Sequence, residues 1–114
     1  MKIPEDGYLL RVFIGEADRW RGAPLYQAIV EEARRQGLAG ATVWKGFMGF
    51  GAHSRMHTVK ILRLSEDLPM VVEIVDTREK IEAFMPDLEK MVGDGLITLE
   101  RAEVLLYRPR GPLS

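Results

Sequence analysis

The chain of 114 residues contains no cysteine. Disulfides, thiolate metal sites and a cysteine nucleophile are therefore excluded. Neither sign of charge is in excess, because 16 basic and 17 acidic side chains leave a formal net charge of −1. A general nucleic-acid or membrane-surface binder needs an excess of Lys and Arg, so we expect no nucleic-acid partner.

Long apolar runs are absent as well. No segment approaches the roughly 18–20 apolar residues that a membrane-spanning helix needs, and residues 1–7 are too polar for a signal peptide. We therefore expect a cytoplasmic protein. Hydrophobic residues at 46% and charged residues at 29% are typical of one folded domain. We expect a single domain over 1–114, with a core of about 8–108 and a Pro- and Gly-rich tail.

Side chains that carry catalysis form no recognisable set. The three serines, Ser54, Ser65 and Ser114, do not lie in a nucleophile-elbow sequence. Carboxylates are numerous but spread along the predicted helices and turns, and no spacing points to a general acid–base pair. The sequence therefore predicts no catalytic residues, and we expect a protein that is not an enzyme.

Apolar periodicity predicts the order β, α, β, β, α, β. Pro86 lies inside the second helical pattern, where it should kink or restart the helix. The predicted elements are a strand at Tyr8–Gly15, a helix from Pro24 to a left-handed end at Gly37, a strand from about Ala41, a returning strand at His57–Leu64, a strand at Met70–Val75, a helix opened by an Asp76–Glu79 capping box, and a last strand from about Leu96 to Tyr107, interrupted near Glu100 and Arg101.

This order of elements predicts the fold class. It is an α+β, ferredoxin-like βαββαβ fold with an extended loop hairpin, in which one antiparallel sheet carries both helices on one face. The other face would be uncovered in a monomer. However, Tyr8–Ile14 and Met70–Val75 have the near-continuous apolar character of strands that are buried on both faces. We therefore expect a homo-oligomer in which sheets pack against each other.

Three short segments are candidates for ligand binding. The glycine-rich stretch Gly46–Gly51 could bring backbone N–H groups close to a phosphate, or act only as a hairpin hinge. Gly93–Gly95 could do the same, or simply join a helix to a strand. Arg108 and Arg110 have the planar donor fork that recognises phosphate, although arginines near a C-terminus are often only solvated charges.

The two histidines, His53 and His57, lie four residues apart. On a helix this spacing can bind a metal ion. Here the surroundings are a loop and a strand edge, without a well-placed carboxylate, so surface histidines are the simpler interpretation. We expect no metal site.

Several motifs, taken in order, resemble those of the PII nitrogen-regulatory proteins. Thr42-Val43, Gly49–Gly51 and His57-Thr58 are similar to the second strand and T-loop entry of PII. Leu68–Val75 is similar to its third strand, and Gly93–Gly95 to the Gly-Asp-Gly of its B-loop. The resemblance covers about residues 8–110. The chain resembles even more closely an uncharacterised PII-like family that shares the GFxGFG hairpin.

The resemblance implies a homotrimer that binds an adenine nucleotide, as an effector rather than a cofactor, in clefts between neighbouring subunits. Leu96 stands where PII has a B-loop lysine, so AMP or ADP is favoured over a triphosphate. Such a signalling protein docks through its loop on a partner such as a membrane transporter or an enzyme. The implied nucleotide-binding residues are Thr42, Gly49, Phe50, Gly51, Gly93, Gly95, Arg108 and Arg110.

One alternative from a different functional class stays open. The same fold could serve a small trimeric metal-binding or tolerance protein, or an enzyme. Only His53 and His57 support this alternative.

Overall fold

The computed structural model describes residues 7–51 and 67–109 of the chain. The predicted strand His57–Leu64 lies outside these ranges. Within them, no helix is both long enough and apolar enough to cross a membrane. The elements in chain order are β1 (Gly7–Gly15), β2 (Arg19–Trp20), β3 (Ala23–Pro24), α1 (Leu25–Arg35), β4 (Thr42–Lys45), β5 (Pro69–Thr77), α2 (Arg78–Met91) and β6 (Leu96–Ala102).

Four of the strands form one antiparallel sheet in the order β4-β5-β1-β6. β1 lies in the centre and pairs along its length with β5, from Gly7 opposite Thr77 to Gly15 opposite Pro69. On its other edge, Phe13 lies opposite Leu96. The α1 connection leads from β1 to β4 and the α2 connection from β5 to β6, and in both cases the two strands are not adjacent in the sheet. The predicted α+β, ferredoxin-like class is therefore confirmed.

The core lies between one face of this sheet and the two helices. Alternate residues of the central strands are buried on that face, as period-2 side chains require. In α1 the buried residues Leu25, Ile29 and Ala33 form an apolar stripe at helical spacing. In α2 the buried residues Ile81, Phe84, Leu88 and Met91 recur at helical spacing. Burial of each large side chain contributes roughly 1.5–3 kcal/mol.

The opposite face of the sheet is open in a single chain. Leu9, Arg11 and Phe13 on this face of β1 are only half-buried, so one chain does not bury its central strands on both sides. Trp44 on the edge strand is 57% exposed. The predicted double burial therefore needs a second molecule on this face.

A polar network crosses the middle of the open face. Arg11 Nε donates to Glu73 Oε2 at 2.9 Å, and the indole Nε1 of Trp44 donates to Glu73 Oε1 at 2.9 Å. The Nη1 group of the same guanidinium donates to Glu100 Oε1. The hydrogen bond from Arg11, and then that from Trp44, hold the pKa of the Glu73 carboxyl below its ordinary value.

Asp76 does not cap α2, and this part of the capping-box prediction is wrong. The N-cap is Thr77, whose hydroxyl accepts from the backbone N–H of Lys80 at 3.3 Å. Asp76 is fully buried at the end of β5, where its carboxylate accepts from Ala39 N at 2.8 Å and from Thr77 N at 2.6 Å. It thus ties the loop after α1 to the junction between β5 and α2.

The predicted restart of α2 at Pro86 and the predicted interruption of β6 are also wrong. α2 continues through Pro86 without a restart, because the lost backbone bond is outweighed by the buried residues Phe84 and Leu88 on either side. β6 continues through Glu100 and Arg101 to Ala102, since an edge strand can direct polar side chains to solvent while its backbone pairs with β1.

The segment between β1 and α1 contains a tight hairpin. β2 and β3 pair across Arg21 and Gly22, which have φ values of 49° and 84°. Two successive positive φ values are typical of a type I′ turn, which suits a two-residue hairpin. The left-handed end of α1 is confirmed, because Gly37 has φ 79°.

We expect Asp76→Ala to lower the free energy of unfolding by about 2–3 kcal/mol, because two backbone N–H groups lose a charged acceptor. Asp76→Asn keeps one acceptor oxygen and should lose less. Urea unfolding followed by circular dichroism measures both, with the exposed Asp94→Ala as the control that should stay within about 0.5 kcal/mol of the wild type. Equal stability of Asp76→Ala and wild type would show that the two hydrogen bonds to the Asp76 carboxylate do not stabilise the fold.

We expect the stabilisation by Glu73 to depend on pH. Its pKa is lowered in the folded state, so the stabilisation is present above the unfolded-state pKa and is lost as pH falls through the folded-state pKa. Thermal unfolding of wild type and Glu73→Gln should therefore differ at pH 7 and converge in acid. A difference in thermal stability between the two proteins that grows as the pH falls would contradict this prediction.

Candidate functional site

A pocket opens at the end of the sheet where β1 ends and β6 begins. Its volume is about 640 Å³, within the range of small-molecule sites. It is an opening between four chain segments rather than a feature of one motif. The lining residues are Phe13, Ile14, Gly15, Gly49, Phe50, Gly51, Asp67, Pro69, Asp94, Gly95 and Leu96.

The glycine-rich segment rests on Pro69, the first residue of β5. Gly46 N donates to the Pro69 carbonyl at 2.6 Å. A Cβ at Gly46 would lie 2.5 Å from Pro69 Cγ, and one at Gly49 would lie 3.1 Å from the same atom. At Gly51 a Cβ would meet no atom within 4 Å. Close packing therefore explains Gly46 and contributes at Gly49, but it does not explain Gly51.

In the Gly93–Gly95 turn, too, close packing explains one glycine and not the other. A Cβ at Gly95 would lie 2.8 Å from the carbonyl oxygen of Phe13 and 3.0 Å from Val92 Cγ1. The turn therefore lies directly against the end of β1. A Cβ at Gly93 would meet no atom within 4 Å. The packing interpretation thus holds for Gly95, while no described residue imposes a steric requirement at Gly51 or Gly93.

The pocket walls combine apolar surface with negative charge. Phe50 and Leu96 are 71% and 56% exposed, and Phe13 lies beside them. Asp67 and Asp94 bring two carboxylates. Asp67 Oδ1 accepts from Ala17 N at 3.0 Å, so it also holds the loop after β1. The lining residues that the structure describes include no Lys or Arg, so an anionic ligand must find its cations elsewhere.

Half of the residues implied by the PII resemblance come together in this pocket. They are Gly49, Phe50, Gly51 and Gly95, and a single chain is enough to bring them together. Gly93 is adjacent but is not among the lining residues. Thr42 lies at the start of β4, opposite Glu73 and away from the pocket. Arg110 lies outside the described residues.

Arg108 lies towards the opposite end of the sheet. β6 runs away from the pocket until Ala102 pairs with Gly7 at the start of β1. Beyond it, the Tyr107 hydroxyl is 3.5 Å from the Ala39 carbonyl oxygen, in the loop that Asp76 holds. The chain that forms the pocket therefore does not supply Arg108 to it.

Sequence reasoning missed Phe13, Asp67 and Pro69 as parts of the site. They lie in or beside predicted strands, and only the sheet register brings them to the glycine segments. His53 and His57 lie outside the described residues. Among residues 7–51 and 67–109, no group of three or more His, Cys, Asp or Glu side chains is placed to hold a metal ion.

The sheet order and the position of the helices are those of PII-like proteins. CPII from Thiomonas intermedia K12, solved with ADP, AMP and acetate, superposes with a TM-score of 0.62 at 13% identity, over 86% of this chain and 87% of CPII. PII from Arabidopsis thaliana, solved with citrate, superposes with a TM-score of 0.56 at 17% identity, over 87% of this chain and 79% of that one. At these identities the likeness establishes a shared fold.

The family follows from the sequence comparison. Residues 7–104 match the family described as DUF190, Uncharacterized ACR, and the chain belongs to this family. A UPF0166 protein from Aquifex aeolicus is 41% identical over 97 residues, which are 85% of this chain and 91% of the relative. The resemblance to an uncharacterised PII-like family is thereby confirmed.

We expect Gly95→Ala to destabilise the fold by about 1–3 kcal/mol, because its methyl group would press on a strand carbonyl that has little room to move. Gly51→Ala, whose methyl group has space, is the matched control and should change stability by less than about 0.5 kcal/mol. Chemical unfolding of the two variants provides the measurement. Equal stability for both would show that the turn does not pack on β1 as described.

Proposed function

We propose that the protein is a PII-like regulatory protein that binds an adenine nucleotide, with AMP or ADP preferred, in this pocket. One observation carries the proposal: the pocket joins Gly49–Gly51 to Gly95, the two glycine segments that the PII resemblance implicates. CPII, which shares the fold, was solved with ADP and AMP. The proposal extends that ligand class to this chain.

The pocket chemistry suits a nucleoside. The exposed ring of Phe50 and the apolar surface of Phe13 and Leu96 offer a stacking surface for a base. The carboxylate of Asp94 can accept hydrogen bonds from ribose hydroxyls or from an exocyclic amine. The open space at Gly51 allows a phosphate to approach the backbone closely.

The pocket charge favours few phosphates. Asp67 and Asp94 repel phosphate oxygens, and Leu96 occupies the place of the PII lysine. Each added phosphate increases the negative charge that needs a partner. AMP and ADP are therefore the better ligands.

A neighbouring subunit supplies the missing cation in this proposal. Arg108 lies far from its own pocket, so in a homotrimer it can enter the pocket of the next subunit. The open sheet face, with Trp44 at its edge, provides apolar surface for such an assembly. Thr42, Gly93 and Arg110 belong to the proposed site only if the neighbour or the bound ligand brings them to it.

Regulation fits the pocket better than catalysis does. Asp67 serves as an acceptor for the backbone of Ala17, and beside the carboxylate of Asp94 the other described lining residues include no histidine, serine, threonine or lysine. We therefore propose a cytoplasmic effector-binding protein. It would dock on a partner, such as a transporter or an enzyme, through the segment that follows Gly51.

We expect calorimetric titration to show heat with AMP and ADP and weaker binding of ATP. Leu96→Lys should shift the preference towards ATP by at least about tenfold, because one charge-assisted hydrogen bond in a pocket contributes roughly 1.5–3 kcal/mol. Ala83→Lys adds the same charge on the exposed face of α2 and serves as the matched control. It should leave the preference unchanged.

No heat with any of the three nucleotides, from protein shown to be folded, would overturn the proposed ligand class. Binding that Leu96→Lys and Ala83→Lys alter equally would instead move the nucleotide out of this pocket.

A further inference from the structure

A second concave surface lies on the helix side of the molecule, away from the open sheet face. It is a groove of about 440 Å³ where the β2–β3 hairpin, α1 and α2 meet. Its lining residues are Trp20 and Arg21 of the hairpin, one side of α1 within residues 28–35, and the end of α2 within residues 87–91. We call it the helix-face groove. It shares no lining residue with the pocket at the end of the sheet, so it is a separate surface.

The carboxylates that line part of this groove already have hydrogen-bond donors. Glu32 accepts from Arg35 and from Gln36. Gln36 Nε2 also donates to Asp87 Oδ2 at 2.6 Å, which links the end of α1 to α2. Glu31 accepts at 3.3 Å from the glutamine one turn earlier. The acidic side chains of the groove are therefore satisfied within the chain.

Two cations of the helix-face groove lack an acidic partner. Arg21 and Lys90 are exposed, and neither forms an ion pair with any residue in the described parts of the chain. The Arg21 guanidinium lies over the ring of Trp20, with its central carbon 4.9 Å from the ring centroid. Positive charge is therefore available on both the hairpin and α2, beside an indole ring.

The backbone at Arg21 is strained. Its φ of 49° lies in the left-handed region, which in a type I′ turn favours Asn, Asp or Gly. No other non-glycine residue within 7–51 and 67–109 has a positive φ. The hairpin thus loses some stability and gains a guanidinium stacked on Trp20. Strained residues of this kind cluster at binding sites, and Trp and Arg are enriched among the residues that dominate the affinity of protein interfaces.

An acidic peptide matches this surface better than a nucleic acid does. The apolar lining of Trp20, Ala28 and Met91 suits one apolar side chain of a peptide, since Met91 is buried and the other two are half-buried. Arg21 and Lys90 suit carboxylates next to that side chain. The carboxylates of the same groove would repel a continuous phosphate backbone, and a net charge of −1 provides no attraction to it over longer distances.

We propose that the helix-face groove docks a short acidic segment of a partner protein, with one apolar side chain of that segment against Trp20 and Met91 and its carboxylates on Arg21 and Lys90. The charge complementarity and the strained, stacked arginine support this occupant. The groove stays accessible when copies assemble through the open sheet face, because it lies on the other side of the sheet. The proposal goes beyond the nucleotide pocket and does not depend on it.

A randomised peptide library displayed on phage tests the partner chemistry directly. Selection on the wild-type protein should enrich sequences that place Asp or Glu next to an apolar residue. The enriched peptides are then synthesised and titrated into Trp44→Phe, in which Trp20 is the one remaining tryptophan. Binding should shift the Trp20 emission to shorter wavelength, because the peptide covers the exposed part of the indole.

Matched variants on the Trp44→Phe background separate docking from folding. Lys90→Glu should weaken peptide binding at least about tenfold, because an attraction becomes a repulsion. Arg34→Glu is the control, since Arg34 is exposed in the last turn of α1, as Lys90 is in that of α2, but does not line the groove. Arg21→Asn should weaken binding several-fold while leaving the fold at least as stable, because Asn suits the turn better.

The proposal is overturned by a selection without an excess of Asp and Glu, or by equal effects of Lys90→Glu and Arg34→Glu on peptide binding. It is also overturned if a uridine oligonucleotide shifts the Trp20 emission at a lower concentration than the peptides do. None of these results depends on AMP or ADP, so failure of this proposal and failure of the proposed nucleotide site are distinguishable.

Discussion

The register of β1 between β5 and β6 is the constraint on which the site depends. Because Gly15 lies opposite Pro69 and Phe13 opposite Leu96, the ends of three strands meet at one edge of the sheet. Pro69 then supports the glycine-rich segment, and the Phe13 carbonyl lies against Gly95. A slip of one residue would turn the buried residues of β1 towards solvent. The core therefore enforces the register, and the register assembles the pocket.

The same topology makes the pocket chemically incomplete. An antiparallel β6 carries the chain away from the pocket, so the arginine near its end lies at the other end of the molecule. What remains is an apolar wall with two carboxylates. This arrangement explains why the proposed ligand carries few phosphates and needs a cation from a neighbouring copy. The open face of the sheet supplies the surface for assembly.

Most of the fold could be predicted from the sequence because its signals are local. The stripe of Leu25, Ile29 and Ala33 requires only helical periodicity, and Gly37 marks the end of α1. The errors arose where tertiary contacts outweighed local preference. Asp76 is fully buried at the end of its strand and binds a distant backbone N–H instead of capping a helix.

The site was harder to predict, because it depends on contacts between distant segments. Gly49–Gly51 and Gly95 were identified by a family resemblance, and the structure brings them together. Phe13 and Asp67 carry no local signal, since a strand residue becomes a wall of a pocket only through pairing. Packing explains Gly46 and Gly95, a reason that sequence alone could not separate from ligand binding.

A crystal structure of the protein grown with saturating AMP tests the central claim most directly. The account predicts the base against Phe50 and Leu96, with the phosphate near Gly51 and facing Arg108 of the partner subunit. AMP bound elsewhere, with this pocket empty, would contradict it.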